Sequence, residues 1–159
     1  MNKSFELNEI ESTVKQYNSR IQKYAFAYVK NRSDAEDIAQ NVFVAYFSKA
    51  PGFNSEEHKK AWLLKVAGNM CKTHMRSAWK RHSVSLTEEL SYLPEEKSEL
   101  INQVLSLDEK YRIPIHLYYY EGYSAKEIAQ ILSSKEATVI TWLARGRDLL
   151  KTKIERKAP

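Results

Sequence analysis

Apolar residues recur at helical spacing along most of this chain, and the residues that interrupt helices are rare. Only 4 Gly and 4 Pro occur among the 159 residues, mostly where an apolar period ends. Steps of three and four place side chains on one face of an α-helix, and no convincing strand-like alternation is present. The sequence therefore predicts an all-α fold, with helices over residues 10–29, from Ser33 or Asp34 to Pro51, and over about residues 59–79.

Charge is divided unevenly along the chain. The net charge of +5 combines a near-neutral stretch over residues 1–60, a basic stretch over 61–82, an acidic stretch over 83–109 and a second basic stretch over 110–159. The basic stretch over 61–82 contains no acidic residue, whereas 83–109 carries a net charge of −6. Two basic regions indicate a polyanionic partner, which is either a nucleic acid or an anionic membrane surface.

Several classes of protein are excluded by composition. A single Cys excludes a disulfide framework and leaves too few thiols for a Cys-based zinc module. The longest apolar runs are too short to cross a bilayer, and the first residues lack the apolar core of a signal peptide. We therefore expect a cytoplasmic protein.

The acidic stretch contains the predicted domain boundary. Residues 83–94 are rich in Ser, have no consistent period and end in Pro94. We predict two small helical domains, residues 1–83 and residues 99–159, joined by an acidic linker over residues 84–98. Domains of this size can form a small hydrophobic core.

A helix-turn-helix is predicted in the second domain. Ser124 and Glu127 have the spacing of a capping box, which opens a short helix. A Ser-Ser-Lys interval follows, and a longer helix starts at about Glu136. One face of that helix is apolar and the neighbouring face is polar and basic, so the helix fits a DNA major groove. The apolar face of this longer helix consists of Val139, Leu143, Gly146 and Leu150. The alternative to a helix-turn-helix is a helical hairpin with an ordinary solvated basic face.

The basic stretch over residues 72–82 alternates cations with an aromatic residue and hydroxyl groups. Such a helix suits a nucleic-acid strand with unstacked bases, because aromatic faces stack on bases and cations follow phosphates. The alternative is a helix end whose cations complement the negative end of the helix dipole.

Segments in both halves of the chain resemble bacterial sigma factors. Residues 33–43 (SDAEDIAQNVF) look like the segment that binds core RNA polymerase, and residues 61–69 (AWLLKVAGN) with Arg76 resemble the promoter-melting segment. Residues 107–112 (LDEKYR) and 119–129 (YYEGYSAKEIA) resemble the start of the C-terminal helix-turn-helix. The similarity runs from about Ile10 to Lys153. Two domains without a middle one are typical of the extracytoplasmic-function subgroup.

This resemblance implies three sets of site residues. Those implied to bind polymerase are Asp37, Gln40, Asn41 and Phe43. Those implied to bind the minus-ten element are Phe53, Asn54, Asn69, Lys72, Arg76 and Lys80. Those expected to bind the minus-thirty-five element are Lys135, Thr138, Thr141, Arg145 and Arg147. Trp62, Ile128, Val139 and Leu143 match core positions.

The sequence departs from the family pattern at a few positions. Ser133 stands in the turn where the family usually has Gly, so we expect an altered or slightly strained turn. Ile140 and Trp142 stand where Lys or Arg is frequent on the reading helix. Asn41 replaces a commonly acidic residue, which softens the expected polymerase contact.

The resulting hypothesis is a transcription initiation factor with no catalysis of its own. Its implied partners are core RNA polymerase, promoter DNA and an anti-sigma factor, and no cofactor, metal or direct membrane binding is expected. The alternative is a helix-turn-helix regulator that acts without polymerase. A zinc site from Cys71, His74 and His82 is disfavoured, because three ligands on one basic helix do not converge easily.

Overall fold

In the computed structural model the backbone is described for residues 3–79 and 98–157, and side chains for residues 7–77 and 100–156. The chain forms two compact units, one before and one after the gap. The predicted all-α class is confirmed, since the described residues form α-helices and one π-helical turn and contain no strand. The predicted linker over residues 84–98 lies almost wholly outside the described residues.

Three helices build the first unit. They are α1 (Lys3–Val29), α2 (Arg32–Lys49) and α3 (Glu56–Trp79). Each helix packs against the other two. Their shared core contains large side chains that are almost wholly buried, including Ile21, Tyr24, Val42, Leu63 and Leu64. The predicted apolar periods identify the buried faces of α1 and α2, whereas the buried face of α3 contains Leu63, Leu64, Ala67 and Cys71 and leaves Trp62 and Val66 only half-buried.

The start of α2 differs from the prediction. Its N-cap is Asn31, whose side-chain oxygen accepts a hydrogen bond of 2.8 Å from the backbone N–H of Asp34. The predicted start at Ser33 or Asp34 is wrong, because Asn31 has the extended backbone of a cap residue, with φ −141°. Asn and Asp rank with Ser as N-caps, so residue type alone did not decide between these positions.

The second unit contains shorter helices around one long one. They are α4 (Ser98–Leu105), α5 (Glu109–Ile115), α6 (Ala125–Ile131) and α7 (Glu136–Lys157), with a π-helical turn over His116–Tyr120. The long helix α7 packs against α4, α5 and α6. Ile113, Leu117, Ile128, Val139 and Leu143 form its buried core.

A buried arginine fixes the start of α5. Arg112 is almost wholly buried, and its Nη1 donates a hydrogen bond of 2.6 Å to the carbonyl oxygen of Leu107.

Pro114 lies inside α5 and has no backbone N–H to donate. The π-helical turn begins two residues later, and such turns are typical places where regular helical bonding is interrupted.

Candidate nucleic-acid interface

The predicted capping box opens α6. The backbone N–H of Glu127 donates to Ser124 Oγ at 3.2 Å, and the backbone N–H of Ser124 donates to Glu127 Oε1 at 3.0 Å. Both donors would otherwise lack a partner within the helix, so the pair fixes where α6 begins. Ile128, Ala129 and Ile131 are the buried residues of this short helix.

The turn between α6 and α7 is a Schellman motif closed by a serine. The backbone N–H of Ser134 donates to the carbonyl of Ala129 at 2.8 Å, and that of Ser133 donates to the carbonyl of Gln130 at 3.4 Å. Ser133 has φ 54°, the left-handed conformation that this motif normally gives to glycine. The turn therefore keeps its geometry, and its serine carries the backbone strain.

One side of α7 is fixed against the core. Val139, Leu143 and Gly146 are buried and Leu150 is half-buried, which places the predicted apolar face correctly. At Gly146 the helix approaches Ile115 so closely that an added Cβ would collide with its side chain. This packing leaves the opposite side of α7 for solvent or a ligand.

The predicted minus-thirty-five residues do not share one face. Lys135, Thr141 and Arg145 are exposed, whereas Thr138 is half-buried. Arg147 lies about 200° around the helix from Arg145, because each residue turns an α-helix by about 100°. Its Nη1 donates to the Tyr119 hydroxyl at 3.4 Å, beside the π-helical turn. Arg147 thus occupies a flank of the reading helix.

The predicted polymerase residues lie on α2, and three of the four face outward. Asp37, Gln40 and Asn41 are exposed, but the Phe43 side chain is only 7% exposed and packs in the core. Its burial makes Phe43 a support for the helix and not a surface group. Sequence reasoning missed the exposed apolar side chains of this helix, Val44 at 63% and Phe47 at 64%. Their positions off the buried period were the signal that could have identified them.

An aromatic cluster lies at the start of α3. The Phe53 ring stacks on Tyr46, with centroids 6.2 Å apart and planes 4° apart, and meets Trp62 edge-on at 5.9 Å. A pocket of about 430 Å³ opens beside Phe53 and Tyr46. Asn54 is exposed next to it, and its backbone N–H donates to His58 Nδ1 at 3.4 Å. Trp62 is half-buried, so it belongs to this cluster at the edge of the core.

A buried lysine joins the three helices beneath this cluster. Lys59 Nζ donates to Thr13 Oγ1 at 3.0 Å and lies 5.5 Å from the centre of the Tyr46 ring. Its ammonium also lies 3.6 Å from a carboxylate oxygen of Glu56. The Tyr17 hydroxyl donates to the same carboxylate at 2.8 Å. Burial, followed by this hydrogen bond, raises the pKa of Tyr17 well above its usual range.

The remaining predicted minus-ten residues follow α3. Asn69, Lys72 and Arg76 are exposed at steps of three and four, so they share one side of the helix. Lys80 lies outside the described residues. Asn69 and the polymerase-face residue Asn41 line the same groove of about 600 Å³ between α2 and α3. The first unit thus brings members of the two predicted surfaces together.

Of the three residues in the disfavoured zinc set, Cys71 and His74 are described, and His82 lies outside the described residues. Cys71 is buried, and His74 Nε2 lies 3.0 Å from Asp34 Oδ2, which ties α3 to the start of α2. Within the part of the chain that the structure describes, no three His, Cys, Asp or Glu side chains form a group that could hold a metal ion. Over the same residues, no helix has the length and apolar character needed to cross a membrane.

Two helical units, the second with a helix-turn-helix whose longer helix exposes a basic side, define a DNA-binding class of protein. Comparison with known protein families identifies the chain more narrowly within this class. It matches the Sigma-70 region 2 family over residues 13–81 and the Sigma-70, region 4 family over residues 97–150.

Individual proteins agree with this match. The ECF RNA polymerase sigma factor SigW of Bacillus subtilis is 30% identical, over 87% of this chain and 84% of SigW. The RNA polymerase sigma factor YlaC of Bacillus subtilis is 28% identical, over 91% of each chain. Among solved structures, the sigma factor RpoE of Bartonella quintana, in complex with the anti-sigma factor NepR, superposes with a TM-score of 0.76 at 17% identity. That alignment covers 94% of this chain and 99% of RpoE, and it shows a shared fold.

This chain belongs to the extracytoplasmic-function sigma factors of the sigma-70 family. The predicted family is thereby confirmed. As a sigma factor the protein directs promoter-specific transcription, and a helix-turn-helix regulator acting without polymerase is not favoured.

Proposed function

We propose that the two units divide promoter recognition between them. The domain over residues 1–83 binds core RNA polymerase and holds the melted minus-ten strand, the linker over 84–98 connects the two, and the domain over 99–159 reads the duplex minus-thirty-five element. The factor performs no catalysis of its own. It acts in the cytoplasm, where the polymerase and the promoters are.

The observation that carries this proposal is the division of α7 into two sides. Val139 and Leu143 are 0% and 3% exposed, while Thr141 and Arg145 on the far side are exposed. The capping box and the Schellman turn fix the start of α6 and the path into α7. A helix held in this way can enter a major groove with its exposed side against the base edges.

The outer face of α2 supports polymerase binding. Asp37, Gln40 and Asn41 supply polar and charged groups, and Val44 and Phe47 supply exposed apolar area on the same helix. Large apolar side chains that are mostly exposed and bordered by polar ones mark protein–protein contact sites. Phe43 contributes from beneath by packing this helix onto the core.

The first unit also supports binding of a melted strand. Phe53 and Trp62 offer aromatic faces beside an open pocket, and aromatic faces stack on any base. Asn54 borders this cluster, while Lys72 and Arg76 extend a polar and cationic side along α3. Cations at this spacing follow a phosphate backbone, so the affinity should fall steeply with salt concentration.

We also propose an anti-sigma partner. The solved RpoE structure contains the anti-sigma factor NepR, and that of CnrH contains the cytosolic domain of CnrY. CnrH superposes on this chain with a TM-score of 0.72 at 19% identity, over 96% of this chain and 91% of CnrH. The fold that this chain shares with RpoE, which was solved with an anti-sigma factor, supports an anti-sigma partner here.

Transcription by purified components tests the proposal. Core RNA polymerase supplemented with this chain should produce transcripts with discrete starts from a genomic template, and the absence of discrete starts would refute the proposal. Arg145→Glu should reduce use of these promoters by about 5- to 150-fold, the range for losing one base contact, and leave polymerase binding intact. Arg156→Glu makes the same charge change about 16 Å further along α7 and should have a much smaller effect. Equal effects of both variants would place the reading surface elsewhere.

A further inference from the structure

The exposed side of α7 includes an apolar strip near the start of the helix. Ile140 is 52% exposed, Ala137 is exposed and Ala144 is half-exposed. Thr141 is exposed too, but its hydroxyl donates to the carbonyl oxygen of Ala137 at 3.1 Å. The hydroxyl proton is thus already used within the helix, whereas Arg145, one turn further on, is exposed and can donate to a base.

Ile140 lies at the edge of this exposed sector, next to the buried face and about 20° around the axis from Arg147. On one border Val139 and Leu143 are buried, and on the other Thr138 and Trp142 are half-buried. Ile140 lies three residues after Ala137 and four before Ala144, so these three residues share one strip of the helix. This strip belongs to the first two turns of α7, the part of a recognition helix that contacts base edges.

The chemistry of Ile140 restricts what it can recognise. An isoleucine side chain neither donates nor accepts a hydrogen bond, so a base amino or carbonyl group pressed against it would lose water without gaining a partner. The 5-methyl group of thymine is the apolar feature that the major groove offers. A thymine methyl is therefore the base feature that Ile140 can bind favourably.

We propose that Ile140 is a specificity-determining residue that packs against the 5-methyl group of a thymine in the upstream promoter element. The inference rests on the proposed function, because it requires α7 to lie in the major groove. It assigns base discrimination at this position to an apolar contact, with Arg145 supplying charge-assisted hydrogen bonding further along the helix.

A thermodynamic cycle between protein and DNA tests this contact. Promoter fragments are chosen from mapped transcript starts, and each thymine of the upstream element is replaced in turn by deoxyuridine, which lacks only the 5-methyl group. Binding of these fragments is measured for holoenzymes containing the unmodified chain, Ile140→Ala or Leu149→Ala. Leu149 is a matched control, since it is 41% exposed on the same helix and lies about 180° around the axis from Ile140.

With the unmodified chain, deoxyuridine at one thymine should weaken binding by about fourfold, the value of one buried methyl-sized group at about 0.8 kcal/mol. With Ile140→Ala the two bases should bind equally, and with Leu149→Ala the fourfold difference should remain. Thermal unfolding of Ile140→Ala should match that of the unmodified chain, since the side chain is half-exposed.

Three outcomes would overturn the inference while leaving promoter recognition by this protein in place. These are an upstream element without thymine, no effect of deoxyuridine at any position, and a deoxyuridine effect that persists in Ile140→Ala. Failure of the unmodified holoenzyme to bind any promoter specifically would instead refute the proposed function.

Discussion

Replacing Ser133 by glycine should stabilise the second unit. Ser133 is exposed, and its backbone is left-handed at φ 54° within the Schellman turn between α6 and α7. A left-handed conformation costs a residue with a Cβ about 1–2 kcal/mol, whereas glycine adopts it freely. Glycine also gives the unfolded chain more freedom, which offsets about 0.4–1 kcal/mol of this gain. We expect Ser133→Gly to raise the free energy of unfolding by about 0.5–1 kcal/mol.

Ser134→Gly is the matched control, because the same substitution one residue later should have the opposite sign. Ser134 does not have a positive φ, so glycine gains nothing there and costs about 0.5–1 kcal/mol of backbone entropy. The control also removes the bond of 3.4 Å from Ser134 Oγ to the carbonyl of Leu132.

Amide hydrogen exchange of the full chain, followed in peptides from α6 and the start of α7, measures these differences within the second unit. The two variants should differ by about 1.5 kcal/mol, roughly a tenfold difference in opening equilibrium. Equal exchange in the two variants, or faster exchange in Ser133→Gly than in the unmodified chain, would show that the turn stores no strain at Ser133.

Three further substitutions test the first unit. Asn31→Ala should lower the free energy of unfolding by about 1 kcal/mol through loss of the N-cap, while Ser33→Ala should change it by less than about 0.5 kcal/mol, as measured by urea unfolding. Lys59→Met should lower the free energy of unfolding by about 1–2 kcal/mol, because it removes the hydrogen bond to the buried Thr13 hydroxyl and the cation–π contact with Tyr46. The control Lys65→Met, on the exposed side of α3, should change this free energy little. Because the pKa of Tyr17 is raised in the folded chain, the unfolded chain loses the Tyr17 hydroxyl proton near pH 10 while the folded chain keeps it. The contribution of Tyr17 to the free energy of unfolding is therefore complete below about pH 10 and declines above it. Urea unfolding measured from about pH 8 to 11 should therefore show a smaller loss of unfolding free energy with rising pH for Tyr17→Phe than for the unmodified chain. Identical pH profiles of the two proteins would contradict the raised pKa.

Most of the fold could be predicted from local sequence. The buried faces of α1 and α2 follow the apolar period, and the capping box at Ser124 locates the start of α6, because both signals depend on neighbours within one or two turns. The cap of α2 was misplaced, since Asn31 and Ser33 are comparable caps and only the backbone path distinguishes them.

The candidate site was only partly predictable. The family resemblance implied a polymerase contact for Phe43, and Thr138 was expected to contact DNA, but packing buries the first and half-buries the second. The exposed apolar side chains of Val44, Phe47 and Ile140 were not predicted as contacts, because apolar residues are ordinarily assigned to a core.

Periodicity, capping and motif order are properties of the chain alone, so the helical class, the alternation of basic and acidic stretches and the family can be inferred from the sequence. Which side of each helix remains exposed depends on the tertiary structure. Tyr46 of α2, Phe53 of the loop before α3 and Lys59 of α3 lie together in one cluster, and Ile140 is exposed while Val139 is buried. Exposure depends on what packs against a helix from elsewhere in the chain, and no local pattern contains that information.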